Sequence, residues 1–111
     1  MRRYATPTIR FHVKAKNPED IDAVMKGTGY LTFGRYDETT DTWTQLFDAD
    51  YEVENDNGRT FLKTTLTQEQ TELYKPNEDA YVQFRAICGK TSVVSSIEPI
   101  RVLPTLKAEV L

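Results

Sequence analysis

The chain is predicted to be all-β, an antiparallel two-sheet Ig-like β-sandwich of about seven strands with one or two short helical turns. Three observations predict it. Short runs rich in β-branched and aromatic residues alternate apolar with polar positions, which is the period of a strand with one buried face. Turn signals separate these runs at short intervals, the Asn57-Gly58 pair being the clearest. Residues 64–86 then read as a strand end, a capped helical turn, a bend at Pro76 and a long alternating strand, the pattern of a chain leaving one sheet and entering another.

Length and charge narrow the class. A chain of 111 residues has room for one modest core and therefore one domain. Hydrophobic residues make up 39%, with six Tyr, five Phe and one Trp to supply bulk, and the 28% of charged residues keep the surface hydrated. The net charge of -3 argues against nucleic acid as a partner, because that binding releases counterions to a basic surface. The charge is also uneven: Arg2, Arg3, Arg10, Lys14 and Lys16 precede the first acid, whereas residues 17–57 are dominated by Asp and Glu. Either a hydrated surface or attraction between neighbouring copies fits this pattern. A single cysteine, Cys88, excludes an internal disulfide and any multi-thiolate metal site. The start of the chain has no apolar leader and no run reaches membrane length, so a soluble protein made in the cytoplasm is expected, with no membrane partner.

The elements follow in order. Residues 1–7 are expected to be an extended arm ending at Pro7 and able to pack on a neighbour, residues 8–104 the sandwich, and residues 105–111 a mildly apolar tail that docks on a partner. The first strand, residues 8–14, turns Ile9, Phe11 and Val13 to one side and Arg10, His12 and Lys14 to the other. Residues 17–27 read as a short helix or helical turn, with Asn17 at the cap, Pro18 at its first position and Gly27 at its exit. Ile21, Val24 and Met25 are its predicted buried side. Residues 30–36 and 42–47 pair across a polar turn, with Leu31, Phe33, Trp43 and Phe47 on the core face and Trp43 as its large anchor.

The next hairpin is set by its turn, because both central residues of a type I′ turn need positive φ and Asn57-Gly58 suits them. Asp56 then faces Arg59, Glu54 faces Phe61, Val53 faces Leu62, Glu52 faces Lys63 and Tyr51 faces Thr64. That register leaves Phe61 on the charged face, as a loop cover or as a contact. Thr67 and Gln70 have capping-box spacing, Leu73 is the predicted inward residue and Pro76 ends the turn. Residues 80–87 place Ala80, Val82, Phe84 and Ala86 on one side and Tyr81, Gln83, Arg85 and Ile87 on the other. After a turn at Cys88-Gly89, Val93 and Ile97 return to the Val82 and Phe84 face, and Pro99 marks an edge strand or a bulge.

No reacting constellation is legible. His12 is the only histidine and lies on a polar strand face beside Arg10 and Lys14, where a surface role is expected, and Cys88 sits in a turn with no second thiol to pair with it. Asp48, Asp50, Glu52, Glu54 and Asp56 would line one face of a continuous strand, and with Asp37 and Asp41 could hold Ca2+, yet no calcium-loop spacing is present. The glycines are scattered and form no phosphate loop. No catalytic, cofactor-binding or metal residue is therefore assigned.

The strings Tyr4-Ala-Thr-Pro-Thr-Ile9, Leu66-Thr-Gln-Glu-Gln-Thr71 and Val82-Gln-Phe-Arg85, with the last strand from Ser96 to Val102, resemble small Ig-like proteins encoded in tail modules of prophages of Gram-positive bacteria. The chain departs from them in its longer acidic segment, residues 37–56. The resemblance implies a non-catalytic structural component of a virion, tail- or baseplate-associated, with other virion proteins or copies of itself as partners. Candidate contacts are Arg2, Arg3 and Tyr4 in the arm, Phe61, Tyr81 and Arg85 on the sheets, and Leu106, Val110 and Leu111 in the tail. The alternatives are a capsid decoration protein, or a module binding a host-surface glycan or receptor through exposed aromatics such as Tyr36, Tyr51 or Tyr81.

Overall fold

The computed structural model describes residues 1–106, so Val110, Leu111 and most of the predicted tail lie outside the described residues. The strands are β1 (Thr8–Val13), β2 (Thr28–Asp37), β3 (Thr42–Ala49), β4 (Glu52–Asp56), β5 (Arg59–Thr65), β6 (Asp79–Cys88), β7 (Thr91–Val94) and β8 (Glu98–Arg101). Two helices join them, α1 (Pro18–Lys26) and α2 (Gln68–Glu72). One sheet has the order β1-β5-β4, and the other β3-β2-β6-β7 with β8 also paired to β6. Every strand pairing among the described residues is antiparallel, and an isolated parallel bridge joins Arg2 to Leu103. This is the two-sheet sandwich that the alternating pattern predicts.

The inward residues of both sheets meet in one core. Leu31 and Phe33 of β2, the Ala80, Val82, Phe84 and Ala86 set of β6, and Leu62 of β5 are all buried. Burial of each large side chain contributes about 1.5 to 3 kcal/mol. The β4-β5 hairpin forms at Asn57 (φ 51) and Gly58 (φ 78) with the predicted register from Asp56–Arg59 through Glu52–Lys63. That ladder stops there, and Thr64 Oγ1 donates to the Asp50 carbonyl (2.6 Å). The charges pair diagonally rather than straight across: Glu54 takes both Arg10 and Lys63, each at 3.3 Å.

Several local expectations are corrected. α1 buries Ala23 and Val24, while Ile21 is half-buried and Met25 is exposed. The Asn17 side chain makes no capping hydrogen bond, and Gly27 has an ordinary negative φ. Glycine is needed at 27 because a Cβ there would lie 2.4 Å from the carbonyl oxygens of both Ala23 and Ile87. The last predicted strand is split in two. Ser95 occupies the break, its Oγ accepting from Phe84 N (2.8 Å), so Val93 still turns inward while Ile97 is exposed.

The α2 corner keeps its capping box, with Gln70 N donating to Thr67 Oγ1 (3.1 Å) and Thr67 N to Gln70 Oε1 (2.9 Å). Its inward residues are Thr71 and Tyr74 rather than Leu73, which is exposed. Tyr74 is fully buried and donates its hydroxyl to the Gly34 carbonyl (3.0 Å), tying the corner to the middle of β2. Burial of the phenol and the nearby Glu78 carboxylate both push the Tyr74 pKa up. Glu78 in turn holds Arg35 through two hydrogen bonds of 2.8 and 3.1 Å.

The arm expected to be extended turns at Tyr4 (φ 62) and docks on its own domain. Arg3 N donates to Leu103 O (3.0 Å), Leu66 N to Pro7 O (3.0 Å) and Thr71 Oγ1 to Ala5 O (3.1 Å). The reason is backbone satisfaction: residues 1–7 find their acceptors and donors in residues 101–105 and in the corner.

Candidate interaction surface

The two sheets share a core but present different outer faces. On the β1-β5-β4 sheet, Phe61 is half-buried, the Arg10 guanidinium lies 4.1 Å from its ring centroid, and the His12 ring is 5.1 Å away. Glu54 bridges Arg10 and Lys63 across this face. Phe61 is thus a packed cover for its own sheet.

The outer face of the other sheet is built by rows of paired residues. Tyr36 of β2 pairs with Trp43 of β3, and Gly34 of β2 pairs with Tyr81 of β6, which in turn pairs with Pro99 of β8. Asp48, Thr32 and Gln83 form the next row, with Thr32 Oγ1 donating to Asp48 Oδ1 (2.6 Å), and then Tyr30, Arg85 and Val94. One end of the face is consequently aromatic. The Trp43 ring meets the Tyr36 ring at 4.5 Å and the Tyr81 ring edge-on at 5.1 Å. The other end carries aliphatic groups around one cation, with Tyr30, Ile87 and Val94 each more than half exposed.

Trp43 overturns the core-anchor expectation, being 52% exposed. The cause is a β-bulge. Phe33 pairs with Phe47 but Gly34 pairs with Gln45, so Leu46 is an extra residue in β3. Phe47 keeps its core position, stacked on Phe33 at 5.0 Å, while every β3 residue before the bulge changes face. Gly34 permits the close approach at this point, since a Cβ there would lie 2.7 Å from the Thr44 carbonyl oxygen. Its missing side chain also leaves room for Tyr81 and Trp43, from the strands on either side of β2, to meet.

The remaining candidates fall elsewhere. Arg2 and Arg3 give guanidinium hydrogen bonds to Pro104 O (3.1 Å) and Glu72 O (3.2 Å), and Arg3 also lies over the Tyr4 ring at 4.9 Å. They are far in sequence and function from the aromatic face, being spent on holding the arm. Leu106 is fully exposed beyond that clasp. Tyr51 is half-buried edge-on against Phe84, which removes it from any exposed aromatic set. Tyr36 and Tyr81 do come together, and sequence reasoning missed Trp43 as their neighbour and Tyr30 at the far end of the same face. For Tyr30 the signal was present, because it alternates with Leu31 and Phe33.

The Tyr36 hydroxyl donates to the Asp41 carboxylate, and this hydrogen bond, with burial second, raises the Tyr36 pKa. Arg85 has no hydrogen bond or ion pair among the described residues. The row of acids is divided, Asp48 ending in the β3 sheet and Glu52, Glu54 and Asp56 in β4 of the other. No group of three or more His, Cys, Asp or Glu side chains among the described residues is placed to hold a metal ion. Cys88 is exposed at the end of β6. No helix among the described residues is long and apolar enough to cross a membrane. No family model matches this chain, and no curated protein or solved structure matches it.

Proposed function

We propose that this chain is a non-catalytic structural and interaction protein that docks on a protein partner through the outer face of its β3-β2-β6-β7 sheet. The setting is the one its sequence resemblance suggests, a bacteriophage particle, at the tail or baseplate. One observation carries the reading: Trp43, Tyr81, Tyr30 and Arg85 stand together on one exposed face, with Arg85 unpaired among the described residues. Tryptophan, tyrosine and arginine are the side chains that dominate the energy of protein interfaces.

The alternative occupant, a glycan, is supported by the same three rings. It is less well supported than protein, because the rings pack against one another and the far end of the face offers Val94 and Ile87 rather than hydrogen-bonding groups. The test is incorporation into particles made by the producing bacterium. Wild-type protein should copurify with assembled particles and a folded Tyr81→Ser variant should be depleted from them. Absence of the wild type from particles, together with glycan binding by the monomer, would overturn the proposal.

A further inference from the structure

The outer face of the five-stranded sheet is complementary to itself, and we infer that its occupant is a second copy of this chain. This rests on the interaction reading above and names the partner. The complementarity lies in the row order. Taking the Thr32–Gln83 row as the centre, the row Tyr30, Arg85, Val94 lies two residues to one side and the row Gly34, Tyr81, Pro99 two residues to the other. A two-fold axis in the plane between two such faces, running along the Thr32–Gln83 row, exchanges these rows between copies. Each contact is then made twice, which is the defining property of an isologous interface.

The exchange brings unlike chemistry together. Arg85 of one copy falls on the Tyr81 ring of the other, where a cation over an aromatic face is favourable. Tyr30 falls on the Trp43 and Tyr81 surface beside the bare Gly34, and Val94 falls on Pro99. Thr32 and Gln83 meet at the axis, and the Asp48 carboxylate beside Thr32 meets its own copy at the β3 edge, a like-charged pair that works against association and that the unlike contacts must outweigh. Had both ends been aromatic or both cationic, the exchange would have gained nothing. Charge adds to the fit, because the cationic Arg85 end meets the end that carries Asp37 and Asp41 in its hairpin turn. The area is sufficient. Ten-residue strands span roughly 33 Å and four neighbouring strands cover roughly 15 to 20 Å. The face is thus roughly 500 to 650 Å² in plan at most, since only β2 and β6 have ten residues, and the relief of its side chains raises the accessible area toward the ~800 Å² that one partner of a standard interface contributes.

The test is sedimentation of the full chain over a concentration series, followed by a register-specific cross-link. Wild-type protein should show a monomer-dimer equilibrium, and Trp43→Ser and Arg85→Glu, each still melting cooperatively, should weaken it at least about ten-fold. In a Cys88→Ser background, Val94→Cys combined with Pro99→Cys should form a covalent dimer on mild oxidation, because the two positions face each other across the axis. Either cysteine variant alone should form no covalent dimer. A single-cysteine variant linking as fast as the pair would overturn the register, and a dimer indifferent to Trp43→Ser and Arg85→Glu would overturn the face. A monomer at all concentrations that is still incorporated into particles would overturn the second copy while leaving the interaction reading intact. A monomer excluded from particles would overturn both. Glycan binding by the monomer, lost on Trp43→Ser, would replace the second copy with a sugar.

Discussion

The α2 corner and the outer face of the five-stranded sheet meet at Gly34, and they treat their functional groups in opposite ways. In the corner the Thr67 and Gln70 side chains cap each other, Thr71 reaches the arm, Tyr74 reaches Gly34 and Arg35 is held by Glu78 and the Leu73 carbonyl. On the face, one strand away, Trp43, Tyr30, Ile87 and Val94 are half exposed or more and Arg85 finds no partner among the described residues. Groups that are satisfied within the chain contribute to folding. Large groups left in solvent contribute little to folding and remain available for association. Substitutions in the two regions should therefore separate stability from binding.

The largest effect belongs to Tyr74. Truncation by Tyr74→Ala removes a fully buried ring and should cost about 3 to 5 kcal/mol in urea unfolding. Tyr74→Phe keeps the ring and loses only the bond to Gly34, so about 1 kcal/mol is expected. If Tyr74→Ala unfolded at the wild-type midpoint, the corner would not be what closes the two sheets.

Glu78 comes next, and it adds a pH dependence. Burial pushes its carboxyl up, but hydrogen bonds from Arg35 and from the Lys75 N–H outweigh burial and hold its pKa below the ordinary carboxylate value. A carboxylate lowered in the folded state contributes stability above its unfolded pKa, near 4.3 for glutamate. That stability is lost as pH falls from about 5 through the lowered folded value. Glu78→Gln should cost about 1 to 3 kcal/mol at neutral pH and give a flatter stability curve on acidification. A mutant curve as steep as that of the wild type would assign the acid sensitivity to other carboxylates.

What was legible in the sequence tracks how local the determining physics is. The Asn57-Gly58 hairpin was legible because two φ angles fix its register, and the capping box because its two bonds span four residues. The choice between Leu73 and Tyr74 was not, since a helix as short as α2 offers too few positions to establish a period. Trp43 failed for another reason. A period-two pattern carries any inserted residue into every position beyond it, and the bulge at Leu46 leaves no mark in composition. The course of the arm was not legible: Tyr4 turns the chain with φ 62, and the surface it lies on depends on contacts with residues about a hundred positions away, which no local pattern encodes. Of the site, Tyr81 and Arg85 could be placed together by alternation along β6, while their aromatic neighbours came from strands whose pairing had to be seen.

A smaller effect is expected at the helix cap. Thr67→Ala removes the acceptor for Gln70 N and should cost about 1 kcal/mol. It should leave association untouched, because Thr67 belongs to the corner. Loss of association with an unchanged melting curve would make the corner a contact site and erase the distinction between the two regions.

The smallest effect on stability, and the sharpest contrast, is expected from one substitution made on each sheet. Arg85 is exposed and without a partner among the described residues, so Arg85→Glu should change the folding free energy by no more than about 0.5 kcal/mol. Arg10 is a strand arginine on the other outer face, but it pairs with Glu54 and covers the Phe61 ring. Arg10→Glu should therefore cost about 1 kcal/mol, since it loses an exposed ion pair and a cation–π contact and sets two carboxylates together. Both variants change the net charge by the same amount, so a general charge effect on association would strike them equally. Sedimentation should instead show dimers for Arg10→Glu and monomers for Arg85→Glu, the reverse of their order in the unfolding experiment. Equal weakening by the two would reduce the contrast between the sheets to net charge, and weakening by Arg10→Glu alone would move the interface to the β1-β5-β4 sheet.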